Sequence, residues 1–197
     1  PLTGYPPCDV PSWQRIYRII KSYGLNHMRF HSWCPPEAAF AAADIEGVYL
    51  QVEAAQANVS AGSDARRDAF TEAELRRILR TYGNHPSFCL MALGNEYGGK
   101  QDVLERWVQI LRDEDSRHLY TSAANNRQLA RQRDFTVTPA GRGVYGPGTA
   151  HDVGAVVAAD SHPVIDHEIG QWTFFPDFDE MKKYTGVMEP RNFELVR

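Results

Sequence analysis

Ser87-Phe88-Cys89-Leu90-Met91-Ala92-Leu93-Gly94-Asn95-Glu96 is the stretch that decides the fold. Phe88 to Leu93 is apolar throughout, with no polar residue at alternate positions. A strand of that kind is buried on both faces, the pattern of a parallel sheet covered by helices. Gly94-Asn95 ends the run, and an acid follows at the turn. Pro163-Val164-Ile165-Asp166-His167-Glu168-Ile169-Gly170 repeats the arrangement far downstream, a short apolar run ending in a glutamate at a turn.

Working outward, helices and strands alternate. Pro11 to Tyr23 carries Trp13, Ile16, Tyr17, Ile19 and Ile20 at helical spacing and stops at Gly24, before a strand from Leu25 to Phe30. Pro35-Pro36 opens a second helix that ends near Gly47, and Val48 to Val52 is a strand that ends at Glu53. Ala54 to Ala69 reads as a long polar loop. Thr71 to Tyr82 reads as a helix, with Thr71 and Glu74 as a capping box. Gln101 to about Asp115 is an amphipathic helix, and Leu119 to Ser122 a short strand. Asn125 to Arg133 is a weak helix, Phe135 to Thr138 a poor strand, and Pro139 to Gly148 a Gly/Pro-rich loop. Val153 to Ala159 and Asp177 to Tyr184 read as helices around the last clear strand, Val164 to His167. This order gives an α/β fold with a parallel sheet, open or closed into a barrel. Six strands are two fewer than a closed (β/α)8 barrel needs.

Composition narrows the classes. The chain has 197 residues, 43% hydrophobic and 23% charged, enough for one sizeable core and one domain, with disorder disfavoured. A net charge of -4 and a pI near 6.0, without a long basic run, argue against nucleic acid or an anionic membrane as partner. No apolar stretch approaches the roughly 20 residues of a bilayer span. Cys8, Cys34 and Cys89 are odd in number and widely spaced, which is not a disulfide framework. Of the seven histidines only His27 and His31 stand four apart, on a segment read as a strand and not a helix, and no H-E-x-x-H occurs, so no metal site is expected, and no cofactor either. Pro1 opens the chain without an initiator Met or a signal-like segment, which reads as a piece of a longer protein and leaves the compartment open.

The chemistry lies at the strand ends. Carboxylates at the C-terminal ends of parallel strands lie where (β/α)-barrels carry their active sites. Two that face each other can cleave a glycosidic bond, one as acid/base and one as nucleophile. Glu96 and Glu168 are the candidates; the bland alternative for each is a carboxylate at a helix N-terminus, favoured by the macrodipole. His167 and Trp172 flank Glu168, and Trp offers a flat apolar face to a sugar ring. Arg29 and His31 end another strand at alternate positions, so both are expected to point to one centre, Arg29 as partner of a carboxylate.

These motifs together resemble the catalytic barrel of glycoside hydrolase family 2, which includes β-galactosidases, β-glucuronidases and β-mannosidases. Tyr23-Gly24-Leu25-Asn26-His27-Met28-Arg29-Phe30-His31 resembles its second strand, and Ala43 to Leu50 the step into the third, which ends at Glu53. Tyr82-Gly83-Asn84-His85-Pro86-Ser87 and Leu93-Gly94-Asn95-Glu96 resemble the signatures on either side of the fourth. Asp115-Ser116-Arg117 resembles the step before the fifth, and Pro163 to Gly170 the seventh-strand nucleophile region. The resemblance implies that residues 1–197 are a partial (β/α)8 TIM-type barrel of a larger multidomain glycosidase, with the first and eighth strands outside it. It implies a retaining, exo-acting β-glycosidase acting on oligosaccharides or glycosides, with Glu96 as acid/base and Glu168 as nucleophile. Asn95 would bond the sugar 2-hydroxyl, and Arg29 would hold Glu168 ionised. Glu53, His31, His167 and Trp172 would line the substrate site. Tyr145 would replace a tyrosine that many relatives carry after the sixth strand, where this chain reads Phe135-Thr136-Val137-Thr138-Pro139. An endo-acting hydrolase of the same superfamily and an inactive carbohydrate-binding barrel are the alternatives. A metal near the acid/base, known in some β-galactosidases, has no recognisable ligands here. Missing strands would leave open edges and invite self-association, with Met28 and Val164 short of neighbours.

Overall fold

The computed structural model describes residues 5–124, 133–138, 153–167 and 177–196. Four parallel strands form the main sheet: β1 (His27–Arg29), β2 (Tyr49–Glu53), β4 (Phe88–Ala92) and β6 (Leu119–Thr121), in the spatial order β1-β2-β4-β6. Helices α1 (Val10–Ser22), α2 (Glu37–Glu46), α3 (Ala65–Tyr82) and α4 (Gln101–Glu114) alternate with them. Each strand therefore lies beside its predecessor in the main sheet, as expected of consecutive βα units. Two further strands, β7 (Thr136–Thr138) and β8 (Val164–Asp166), pair parallel with each other, with α5 (Val153–Ala159) between them in sequence. No closed barrel forms among the described residues, so the sheet is open to that extent.

Two packed regions fix the sheet. The larger core lies between the helices and the sheet; Phe40, Phe88, Leu104, Trp107 and Leu111 are buried in it, and Phe40 stacks on Tyr82 at 4.4 Å. On the other side, Leu90 of β4 packs with Phe135, Val137 and Ile165, which brings the β7–β8 pair against the main sheet. Asp134 makes the join polar as well as apolar. Its N–H donates to Tyr120 O at 2.8 Å, its carboxylate accepts the Tyr120 N–H at 3.0 Å, and Arg112 of α4 clamps it at 2.6 Å.

Several expectations need correction. The segment from Ala54 to Ala69 is not a loop throughout. It holds β3 (Ser60–Ala61), which pairs parallel with β5 (Gly98–Gly99), so β2 and β4 continue their pairing in a second, short ladder above the sheet. Helix α3 starts at Ala65, because the Asp64 side chain accepts the N–H groups of Arg66 and Arg67. Thr71 is thus inside the helix and caps nothing; its hydroxyl bonds back to Arg67 O at 2.9 Å. The first strand is shorter than the apolar pattern suggests, and Met28 packs against the larger core instead of lacking neighbours. The segment after Asp177 is a 3-10 helix, Phe178–Lys183, with Asp177 as its cap, and α6 (Arg191–Val196) follows. The helix expected over Asn125 to Arg133 lies outside the described residues except for Arg133.

Candidate functional site

The C-terminal ends of β1, β2 and β4 bring together a compact group of polar side chains. Arg29 is the last residue of β1 and Glu53 the last of β2. Arg29 Nε donates to Glu53 Oε1 at 2.5 Å, and Nη2 donates to Asn95 Oδ1 at 2.7 Å. The Ser32 N–H, at φ 60°, donates to Glu53 Oε2 at 2.7 Å. The Glu53 side chain is 0% exposed and that of Arg29 12%, so the pair is held away from bulk water. A carboxylate so enclosed and surrounded by donors is an anchor for Arg29.

Below Glu53, on the same face of β2, lies Gln51, fully buried. Its amide nitrogen is 3.5 Å from Glu53 Oε1, and its oxygen position is 3.0 Å from His167 Nε2. His167 follows β8 directly, is buried, and sets Nδ1 3.1 Å from Ala124 O, just after β6. A carbonyl only accepts, so Nδ1 carries the proton. Burial pushes the His167 pKa down to about 4; the Ala124 bond opposes this, and the charges of Arg29 and His27 add to it. The ring is neutral near pH 7, with a lone pair on Nε2. Turning the Gln51 amide about its soft terminal torsion presents the NH2 group to Nε2 and leaves the Gln51 oxygen at the position 3.5 Å from Glu53 Oε1. His27, two residues before Arg29, is also depressed by burial, and its Nε2 has no partner among the described residues.

Glu96 is placed quite differently from Glu53. It lies at φ 52°, the left-handed region that a non-glycine residue adopts at a cost of order 1–3 kcal/mol. Neighbouring backbone holds it there. Asn58 N–H donates to Asn95 O at 2.9 Å and Gly98 N–H to Val59 O at 2.8 Å. A Cβ on Gly94 would fall 2.2 Å from the Tyr97 ring. The carboxylate of Glu96 is half-buried and makes no hydrogen bond or ion pair among the described residues. It is not a helix N-terminal charge either, since α4 begins only at Gln101 with Asp102 in its first turn.

The sequence-predicted residues thus separate. Arg29, Glu53, Asn95 and His167 are in one network, with Glu96 beside it in sequence. His31 is not in it: β1 ends at Arg29, the chain turns at Ser32, and His31 is exposed with its ring 3.1 Å from Ser32 Oγ. Glu168, Trp172 and Tyr145 lie outside the described residues. Two members escape the sequence reading. Gln51 is signalled by its place two residues before Glu53 in an otherwise apolar strand; the Ser32 amide, a backbone group, has no signal. No group of side chains fit for a metal occurs among the described residues. No helix among them is long and apolar enough to cross a membrane. A hollow of about 140 Å³ lies at the opposite ends of β2 and β4, but its Asp44 carboxylate is already occupied by the Ser87 N–H and the His85 ring.

No protein-family model matches the chain, and neither does any curated protein. Solved structures do. A β-glucuronidase of Bacteroides uniformis is 19% identical, with a TM-score of 0.64 over 78% of this chain and 22% of that one. A family 2 β-galacturonidase of Eisenbergiella tayi bound to galacturonate is 15% identical, with a TM-score of 0.59 over 66% and 25%. A β-D-glucuronidase of Dictyoglomus thermophilum is 17% identical, with a TM-score of 0.58 over 66% and 26%. The chain therefore has the fold of part of these enzymes and spans about a quarter or less of their length.

Proposed function

We propose that this chain is part of the catalytic barrel of a retaining, exo-acting β-glycosidase of the family 2 type. Glu96 carries the reading: a carboxylate on strained backbone, without a partner among the described residues, at the C-terminal end of a parallel strand and directly after an asparagine held by an arginine. Strain of this kind concentrates where function requires a fixed geometry. In this reading Glu168 attacks the anomeric carbon while Glu96 protonates the departing glycosidic oxygen. A covalent glycosyl-enzyme forms; Glu96, now a base, takes a proton from water, which releases the sugar with retained configuration. Asn95 has its oxygen committed to Arg29, so it offers its NH2 to the sugar 2-hydroxyl. Arg29 adds positive charge that favours the ionised nucleophile. Trp172 and Tyr145 are assigned to the sugar-facing wall. Two-carboxylate chemistry requires neither metal nor cofactor. The fold neighbours named above are a β-glucuronidase, a β-galacturonidase and a β-D-glucuronidase, which supports uronides as first substrates to try beside galactosides.

The test is a panel of aryl β-glucuronides, β-galacturonides, β-galactosides and β-mannosides. Glu168→Ala is expected to abolish turnover and to be rescued by azide with inverted product. Glu96→Ala is expected to spare substrates whose leaving groups need no protonation. Ordinary activity in Glu168→Ala would rule out the assignment of the nucleophile.

A further inference from the structure

Ala124, His167, Gln51, Glu53, Arg29 and Asn95 form one continuous polar chain. It runs from a main-chain carbonyl after β6, through the ring after β8 and the two buried groups of β2, to the end of β1 and the turn after β4. Every link is within 3.5 Å. Asn95, the terminal member, stands next to Glu96. The geometry points to Gln51 and His167 as positioning residues for Asn95, acting through Glu53 and Arg29; this rests on the glycosidase reading above.

An asparagine amide has two orientations of equal shape and opposite chemistry. Arg29 decides between them, because its Nη2 takes Oδ1 and leaves Nδ2 as the group offered outward. The guanidinium fork is planar, so its direction is set by whatever holds Nε, and that is Glu53. Glu53 in turn is oriented by the Ser32 N–H and is packed on the Gln51 amide, 3.5 Å from its Oε1. Gln51 is fully buried and needs a second partner, which His167 supplies. His167 is tied to the Ala124 carbonyl, a main-chain anchor that no rotamer change can move. A buried amide and imidazole cost several kcal/mol unless bonded, and an apolar pair of the same shape would fill this space at equal or lower free energy. Space filling therefore does not account for them, whereas orientation of the network does. The charged or titratable groups that act on the ring among the described residues are Arg29 and His27 of β1.

Gln51→Leu and His167→Phe in the full chain test this, with Gln51→Met as the volume-matched variant should Gln51→Leu not fold. The side-chain NH2 resonances of Asn95, assigned by their loss in Asn95→Ala, should shift in these variants and stay put in Val108→Ala, a cavity variant of the larger core. On an aryl β-glycoside that the wild type hydrolyses, kcat should fall about 10²-fold with KM nearly unchanged, as for misplacement of a reacting group. On the 2-deoxy analogue, which lacks the hydroxyl that Asn95 serves, the variants should match the wild type within about twofold. Equal losses on both substrates would overturn the inference, since they mean a structural role alone. Unmoved Asn95 resonances would overturn it whatever the activity. If the wild type hydrolyses no glycoside but the Asn95 resonances respond, the coupling stands and the glycosidase reading fails.

Discussion

Replacing Glu53 by glutamine keeps the size of the side chain and removes its charge, which isolates what the carboxylate does. Both oxygens act only as acceptors: Oε1 from Arg29 Nε, Oε2 from the Ser32 N–H and Arg29 Nη2. In the Glu53→Gln protein one of those positions becomes NH2, a donor facing donors. Arg29, 12% exposed, loses the charge of Glu53 but keeps Asn95. Breaking a buried pair from one side costs about 3–5 kcal/mol. The bond to Asn95 and the residual exposure put this case near the lower end, about 3 kcal/mol. For a chain of this size that is a fall in Tm of about 6–12 °C. Urea unfolding followed by circular dichroism measures the free energy, and a thermal melt gives the second estimate. Arg29→Met/Glu53→Leu removes both charges, and should recover part of the loss because no ion is left buried alone. A loss below about 1 kcal/mol in Glu53→Gln, typical of solvated pairs, would refute the description of a dry, mutually supported network.

Three further outcomes follow from the same structure. The His167 pKa is depressed to about 4 against about 6.5 in the unfolded chain, so the unfolded state binds the extra proton between these values. Stability is complete above about pH 6.5 and falls by roughly 3 kcal/mol as the pH drops to about 4; in His167→Gln that slope should vanish from the pH dependence of urea midpoints. For Asp44, burial disfavours ionisation, but Ser87 and His85 outweigh it and hold the pKa below the usual value. Its contribution is therefore present above about pH 3.9 and lost as the pH falls through the lower folded value, so Asp44→Asn should destabilise at about pH 7 and hardly at about pH 2, read by the same denaturation series. Gly99 has φ 99°, and a Cβ there would lie 2.3 Å from Ala61 O, so Gly99→Ala should cost at least about 2 kcal/mol and unpair β3 from β5, visible as faster amide exchange at Gly98 and Lys100.

The parts of the fold legible in the sequence are those set by local pattern. The apolar run Phe88 to Leu93 and the periodicity of Gln101 to Glu114 encode a buried strand and a helix whatever surrounds them. Boundaries set by side-chain bonds are less legible. Asp64 starts α3 well before Thr71 because it reaches two backbone amides, and Thr71 with Glu74 imitates a cap at a helix interior. The β3–β5 ladder stays hidden because two-residue strands such as Gly98–Gly99 have no periodicity to read. At the site, alternation along β2 places Gln51 beside Glu53, whereas alternation fails for His31 because β1 has already ended at Arg29.

Position, more than residue type, separates the two glutamates of the described site. Both end or follow parallel strands, where the sequence reading puts Glu96 as the acid/base and Glu53 among the residues lining the substrate site. Glu53 is the last residue of a strand, so it keeps extended geometry and points into the network between β1 and β4. Glu96 lies beyond its strand, after a glycine packed so closely on the Tyr97 ring that a side chain would not fit. The turn there is held at positive φ and tied on both sides to the β3 segment, and Glu96 bonds none of the donors that saturate Glu53. One carboxylate is therefore committed to holding Arg29, and through it Asn95, while the other stays unbonded beside them among the described residues. Comparing Glu53→Gln with Glu96→Gln should separate the two roles: the first lowers stability, and the second leaves stability within about 0.5 kcal/mol, or raises it, because no bond is lost. A Glu96→Gln protein as unstable as Glu53→Gln would mean that Glu96 is bonded into the structure, and its assignment as the free acid would have to be given up.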